Sequence, residues 1–142
     1  MNIYIIGVGL IGGSMALDIK SNYDNVTVFG IDTNENYLDA ALNLNIIDKK
    51  ASIPDLVEAD FVILAVPVDI ALVILPTILD VINDDTLVLD VGSTKFPICD
   101  AISDHSKRRN FIATHPIAGT EFSGPTAAIV GLFNGKTNII CE

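Results

Sequence analysis

Tryptophan is missing from this chain, and aromatic side chains of all kinds amount to only 6% of its 142 residues. A core must therefore be built from Val, Ile, Leu and Ala. With apolar residues at 50%, there is ample material for one domain of ordinary size. Positive charge is scarce as well: 8 basic residues stand against 18 acidic ones, a net charge of −10. That balance argues against nucleic acid and against an anionic membrane surface as partners. It also means that any phosphate site must rest on local backbone dipoles. Long apolar stretches are absent, since no run reaches the ~18 residues that a membrane span needs. The N-terminus, Met1-Asn2-Ile3, has no basic leader region, so a cytoplasmic protein without a signal peptide is expected. Cysteine is limited to Cys99 and Cys141, which form neither a CxxC pair nor a metal-ligand spacing. Both are expected to be reduced and structural, and no metal site is expected.

Glycine, by contrast, is concentrated where it ought to do harm. Residues 3–14 read IYIIGVGLIGGS, with four glycines inside seven residues at the end of a good strand. Glycine weakens strands and helices alike, by roughly 0.5–1 kcal/mol relative to Ala. The bare backbone must have a use there.

Along the chain, strand-like and helix-like segments alternate. Strands are expected at 2–6, 26–31, 61–66, 86–91, 110–114 and 137–141. Helices are expected at 10–20, 34–44, 69–82 and 96–105, with Pro97 tolerated in a first turn. A Gly- and Pro-bearing loop with a short helix near 125–133 lies between the last two strands. Residues 61–66, FVILAV, form an unbroken apolar run of the kind found in sheets buried on both faces. The pattern implies an α/β fold of Rossmann type: a doubly wound, mainly parallel sheet with helices on both faces. There is no internal repeat, low-complexity tract or linker.

In such a unit the first strand turns sharply into a helix. Gly7 permits the turn, Gly9 lets a ligand lie against the backbone, and Gly12 lets the helix pack on the strand. The free N–H groups of Leu10, Ile11 and Gly12 then face an anion, and the helix dipole favours negative charge. A diphosphate fits this cradle without any lysine. A second strand ends in Asp32, twenty residues after Gly12, with Thr33 beside it. A carboxylate there accepts hydrogen bonds from both ribose hydroxyls and repels a 2′-phosphate, which favours NAD over NADP. The plainer alternative is a tight turn followed by a solvated loop acid.

Ligands of open parallel sheets lie beyond the carboxyl ends of the strands. Three further loops qualify. Val66 and Pro67 would form a stiff wall beside the cofactor, or simply stop a strand. Gly92 allows close backbone approach. Ser93 either caps the next helix or hydrogen-bonds a substrate or a catalytic base, and Lys95 fits a solvated helix start better than a ligand group. His115 opens the loop HPIAGTE and is the best candidate for a catalytic base, because imidazole titrates nearest neutral pH. A hydrogen-bonded structural histidine would look similar. His105, in the polar run DHSKRRN, is expected at the surface.

Taken together and in order, GVGLIGGSMALDI, Asp32, AVPV, DVGSTK and HPIAGTEFSGPTAA…LFNGK resemble the prephenate dehydrogenase family of tyrosine biosynthesis over nearly the whole chain. The resemblance implies an NAD-dependent oxidative decarboxylation of prephenate, or of arogenate in some members. His115 would take the proton of the ring hydroxyl, and Ser93 would orient His115 or that hydroxyl. It also implies a following helical domain that forms a homodimer and supplies basic residues for the substrate carboxylates. Only two arginines, Arg108 and Arg109, occur here, and neither is obviously placed as that clamp. The chain is therefore expected to be the cofactor domain of a larger enzyme, though a natural stand-alone domain is the alternative. Two other functions compete: another nicotinamide-dependent dehydrogenase of the 3-hydroxyacid dehydrogenase type, and a non-catalytic NAD-sensing module.

Overall fold

The computed structural model describes residues 1–141. Its strands are β1 (Asn2–Ile6), β2 (Thr27–Ile31), β3 (Lys49–Lys50), β4 (Phe61–Leu64), β5 (Leu87–Asp90), β6 (Phe111–Pro116) and β7 (Asn138–Cys141). Its helices are α1 (Leu10–Asn22), α2 (Glu35–Asn43), α3 (Val68–Val81) and α4 (Phe96–Ala101). The strands form one sheet in the order β3-β2-β1-β4-β5-β6-β7. All neighbours are parallel except β6 and β7, which pair antiparallel with Ala113 opposite Cys141.

Each face of the sheet carries its own core, and the period-two alternation of β1 shows why. Tyr4 and Ile6 point into a cluster closed by Leu75, Ile78 and Leu79 of α3 and Ile98 of α4. Ile3 and Ile5 point the other way, onto Ala16 of α1 and Leu38 and Ala41 of α2. The chain winds outward from β1 to β3 on one side, then returns to lay β4 against β1 on the other. That reversal leaves a crevice beyond the carboxyl ends of β1 and β4.

The expected strands and helices are all present, with ends shifted by a few residues; α1 and β6 run past the expected ends. The helix expected at 96–105 stops at Ala101, and that near 125–133 is a single 3₁₀ turn, Pro125–Ala127. Three elements were not foreseen, one of them a 3₁₀ turn at Arg108–Asn110. Lys49–Lys50 adds a two-residue edge strand, which is too short to show periodicity. Ile53–Glu58 forms a 3₁₀ turn, and the Asp55 carboxylate accepts from both the N–H and the hydroxyl of Ser52. Neither Cys99 nor Cys141 is part of a disulfide. His105 is less exposed than its polar surroundings suggested: it lies 3.3 Å from Asp80, and its Nδ1 accepts the Lys107 N–H.

Candidate functional site

The glycine loop closes the end of β1. Gly7 has φ +93, and a Cβ there would lie 2.5 Å from the Ala65 carbonyl oxygen, so both its conformation and its packing exclude a side chain. A Cβ on Gly12 would lie 2.1 Å from the Gly7 carbonyl oxygen and 2.9 Å from Ile5, so helix and strand touch there. Gly9 differs: nothing lies within 4 Å of its would-be Cβ. The open space beside Gly9 is where a ligand can approach the backbone.

Gly9 is the N-cap of α1, and the Gly13 N–H returns to its carbonyl at 2.8 Å. The N–H groups of Leu10, Ile11 and Gly12 lie ahead of that first helical bond, as at any helix start. The first turn of α1 carries no acidic residue, so nothing there neutralises its dipole.

Asp32 closes the opposite side. Its Oδ2 accepts the Val8 N–H at 3.1 Å and its Oδ1 accepts the Asn34 N–H at 2.9 Å. The carboxylate thus ties the end of β2 to the glycine loop. Each of its oxygens keeps lone-pair capacity for a sugar hydroxyl. Between these elements lies a cleft of about 490 Å³, lined by Gly7, Gly9, Asp32, Thr33, Val66 and Pro67, with walls from Ile31, Ile53, Ile70, Ile74 and Tyr37. Asp32 is the only charged residue in that lining, so an anionic group bound here must rely on backbone N–H donors. Leu10 turns into the protein and is buried, and Ile11 is half-buried. Neither of them, nor Gly12, lines the cleft. Tyr37 and Ile53 were not expected in the lining. They come from α2 and the 3₁₀ turn, brought over the cleft by packing alone.

The second part of the site is built on β5 and β6. Asp90, 1% exposed, ends β5 and forms an ion pair with Lys95. Lys95 also donates to the Thr114 carbonyl at 2.7 Å. The Thr114 N–H donates to Asp90 Oδ1 at 3.2 Å, and its hydroxyl donates to the Asp90 carbonyl at 2.7 Å. Three atoms of Thr114 are therefore held by this pair, immediately before His115. The expectation of a solvated Lys95 is corrected. Its side chain is only 12% exposed because it bends back onto a buried carboxylate 5 residues earlier.

His115 lies on β6 and lines a shallow depression of about 350 Å³ with Pro116, Ile117, Ala118, Gly119 and Lys136. Its Nδ1 is buried and has no hydrogen-bond partner. A buried polar nitrogen left unpaired is uncommon in a folded protein. Ser93 is exposed, and no hydrogen bond joins it to His115. Gly92 does not line the cleft; its N–H donates to Asp90 Oδ2 at 3.0 Å, and a Cβ would lie 3.0 Å from Val68. Among the described residues there is no cluster of ligating side chains able to hold a metal.

A doubly wound sheet, a side-chain-free turn at its switch point and an acid at the end of β2 together define a nucleotide-binding domain of Rossmann type. The chain belongs to the prephenate dehydrogenase family: the family model for "Prephenate dehydrogenase, nucleotide-binding domain" matches residues 15–142. A prephenate dehydrogenase of Bacillus subtilis (strain 168) is 40% identical over 142 residues, covering 97% of this chain and 38% of that protein. Among solved structures, prephenate dehydrogenase from A. aeolicus in complex with hydroxyphenyl propionate and NAD+ superposes with a TM-score of 0.91 at 32% identity. That match covers 100% of this chain and 50% of the other. Synechocystis arogenate dehydrogenase superposes at 0.87 with 27% identity, over 99% of this chain and 49% of that one. The chain thus spans half or less of the length of these relatives.

Proposed function

We propose that this chain is the NAD-binding part of a dehydrogenase that converts prephenate to 4-hydroxyphenylpyruvate, a step of tyrosine biosynthesis in the cytoplasm. The observation that carries the reading is the pairing of an uncharged backbone cradle with Asp32 across one cleft. That arrangement suits a diphosphate flanked by a free ribose diol. Residues Gly7, Gly9 and Gly12 would keep the turn bare, the N–H groups of Leu10, Ile11 and Gly12 would meet the diphosphate, and Asp32 and Thr33 would meet the ribose. Val66 and Pro67 would wall the cleft, and Gly92 would shape the adjoining loop. The bound dinucleotide supplies a hydride acceptor for the ring carbon that carries the hydroxyl, while carbon dioxide leaves and the ring becomes aromatic.

In this reading His115 takes the hydroxyl proton, which raises electron density on oxygen as the hydride departs. The aromatised product regains a proton at that oxygen. His115 must be neutral to accept the hydroxyl proton. The buried, unpaired Nδ1 is the atom that the Ser93 hydroxyl would satisfy in orienting the imidazole, with Nε2 left to take the substrate proton. The clamp for the substrate carboxylates and the homodimer contact are assigned to a helical domain of the full-length protein. Arogenate remains the alternative substrate, since it differs from prephenate at the side chain rather than at the reacting ring.

Calorimetric titration with NAD and with NADP, followed by an assay for NADH production on prephenate, tests this. Tighter binding of NAD is expected, with turnover by the full-length protein and little by residues 1–142. Robust turnover by this chain would relocate the substrate site, and failure to bind either dinucleotide would remove the reading altogether.

A further inference from the structure

Four features that the dinucleotide fingerprint does not require converge on one place. Gly13 follows the three glycines already explained, yet a Cβ there would lie 2.8 Å from the Cβ of Ala128. Ser14 is fully buried inside α1, where serine is a poor helix former, and its Oγ accepts the Ile129 N–H at 3.0 Å. One turn later, Asp18 Oδ1 accepts the Gly131 N–H at 2.6 Å. On α2, the Tyr37 ring lines the nucleotide cleft and also packs under Gly124, whose φ is +81. The segment so held is the continuation of the loop that begins at His115. Its near end is fixed by the Ile117 N–H, which donates to the Thr137 carbonyl at 2.8 Å. Residues 119–123 between these anchors are exposed.

From this geometry, and resting on the function proposed above, we infer that Ser14, Asp18 and Tyr37 are positioning residues. They join the segment 124–131 to the nucleotide-binding helix and to the wall of its cleft. A dinucleotide that fixes the first turn of α1 and the Tyr37 ring thereby orders the loop that follows His115. By linkage, a ligand seated on that loop tightens the dinucleotide in return. The contacts span 115 and 113 residues of sequence, so the joint exists only in the folded state.

Amide hydrogen exchange on the full-length protein, with NAD as the probe, tests the joint without turnover. NAD is expected to slow exchange across 117–131. In Asp18→Ala the Gly131 amide should exchange about tenfold faster, because a bond to a charged acceptor is lost. The protection of 117–131 by NAD should disappear with it. Asp18→Asn keeps an acceptor oxygen in place and should restore both. Ser14→Ala is the second variant, read at the Ile129 amide. In steady-state kinetics Asp18→Ala should raise KM for the substrate, with the NAD Kd changed by no more than about twofold. Unchanged exchange at 117–131 on NAD binding, or a proportionate loss of NAD and substrate affinity in Asp18→Ala, would overturn the joint. The comparison of Asp18→Ala with Asp18→Asn is made without nucleotide as well. Failure of NAD to bind the unaltered protein would therefore strike the proposed function, while equal exchange in the two variants would strike the joint.

Discussion

The two halves of the candidate site are built by opposite means. Around β1 and α1 the site is made of backbone, and its defining residues matter for the side chains they lack. Around β5 and β6 it is made of side chains, with a buried carboxylate, a lysine and a histidine placed by bonds across two strands. The first half is a walled cleft with a single charge, and the second is a shallow depression beside an unpaired imidazole nitrogen. A backbone cradle is preformed, because its donors cannot rotate away. A side-chain site needs a supporting network, and here Asp90 and Lys95 provide one.

The sharpest test of this contrast is to remove chemistry from the second half alone. His115→Asn in the full-length protein should lower kcat by about 10²–10⁴-fold, the range of general base catalysis, with the NAD Kd unchanged. Turnover equal to the unaltered protein would end the catalytic assignment and favour an NAD-sensing role. Next in size is Lys95→Met, which strands the Asp90 charge in the core. Chemical denaturation should show a loss of about 3–5 kcal/mol, and Asp90→Leu combined with Lys95→Met should recover part of it. If Lys95→Met costs nothing, the pair does not hold β6 in place.

Two glycine variants probe the first half. Gly12→Ala forces a Cβ to within 2.1 Å of a carbonyl oxygen, so melting temperature and NAD binding should fall together, with a stability loss of about 1–3 kcal/mol or more. Gly9→Ala meets open space and should melt normally, yet bind NAD about tenfold more weakly, as for the loss of one good contact. Equal behaviour of the two variants would show that Gly9 faces no ligand.

The smallest effect is expected from Asp48, which joins the ends of β2 and α1. Partial burial pushes its carboxyl up, but the Lys20 ammonium at 2.6 Å and the Val28 N–H outweigh this and hold it below its ordinary value. A lowered folded value gives stability that is present in full above the unfolded value of roughly 3.9 and is lost as pH falls through the lower folded one. Urea midpoints measured at neutral pH and below the carboxylate range should therefore differ less in Asp48→Asn than in the unaltered protein.

Much of the fold was legible because its signals are local. The apolar runs of β1 and β4 and the spacing of Gly7, Gly9, Gly12 and Asp32 all lie within short windows. They report steric limits on the backbone, which neighbouring residues impose. Lys95 was misread because nothing near it says whether its partner is water or a carboxylate. Asp90 lay in plain view at the end of TLVLDV, but its burial depends on β4 and β6 flanking β5. The reach of the helix after Lys95 and the extent of the 3₁₀ turn at 125–127 were also overestimated, since both are ended by packing rather than by a breaker.

By itself the amino-acid order determined the strand and helix succession, the bare turn and the acid opposite it. Each of these follows from the allowed dihedral angles and hydrogen-bonding habits of adjacent residues. Tertiary structure alone decided that Asp90 and Lys95 hold Thr114 beside His115, and that Ser14 and Asp18 meet the amides of Ile129 and Gly131. Such pairings join residues that are distant in the chain, and their energy becomes available only when the sheet and its flanking helices bring them together and exclude water.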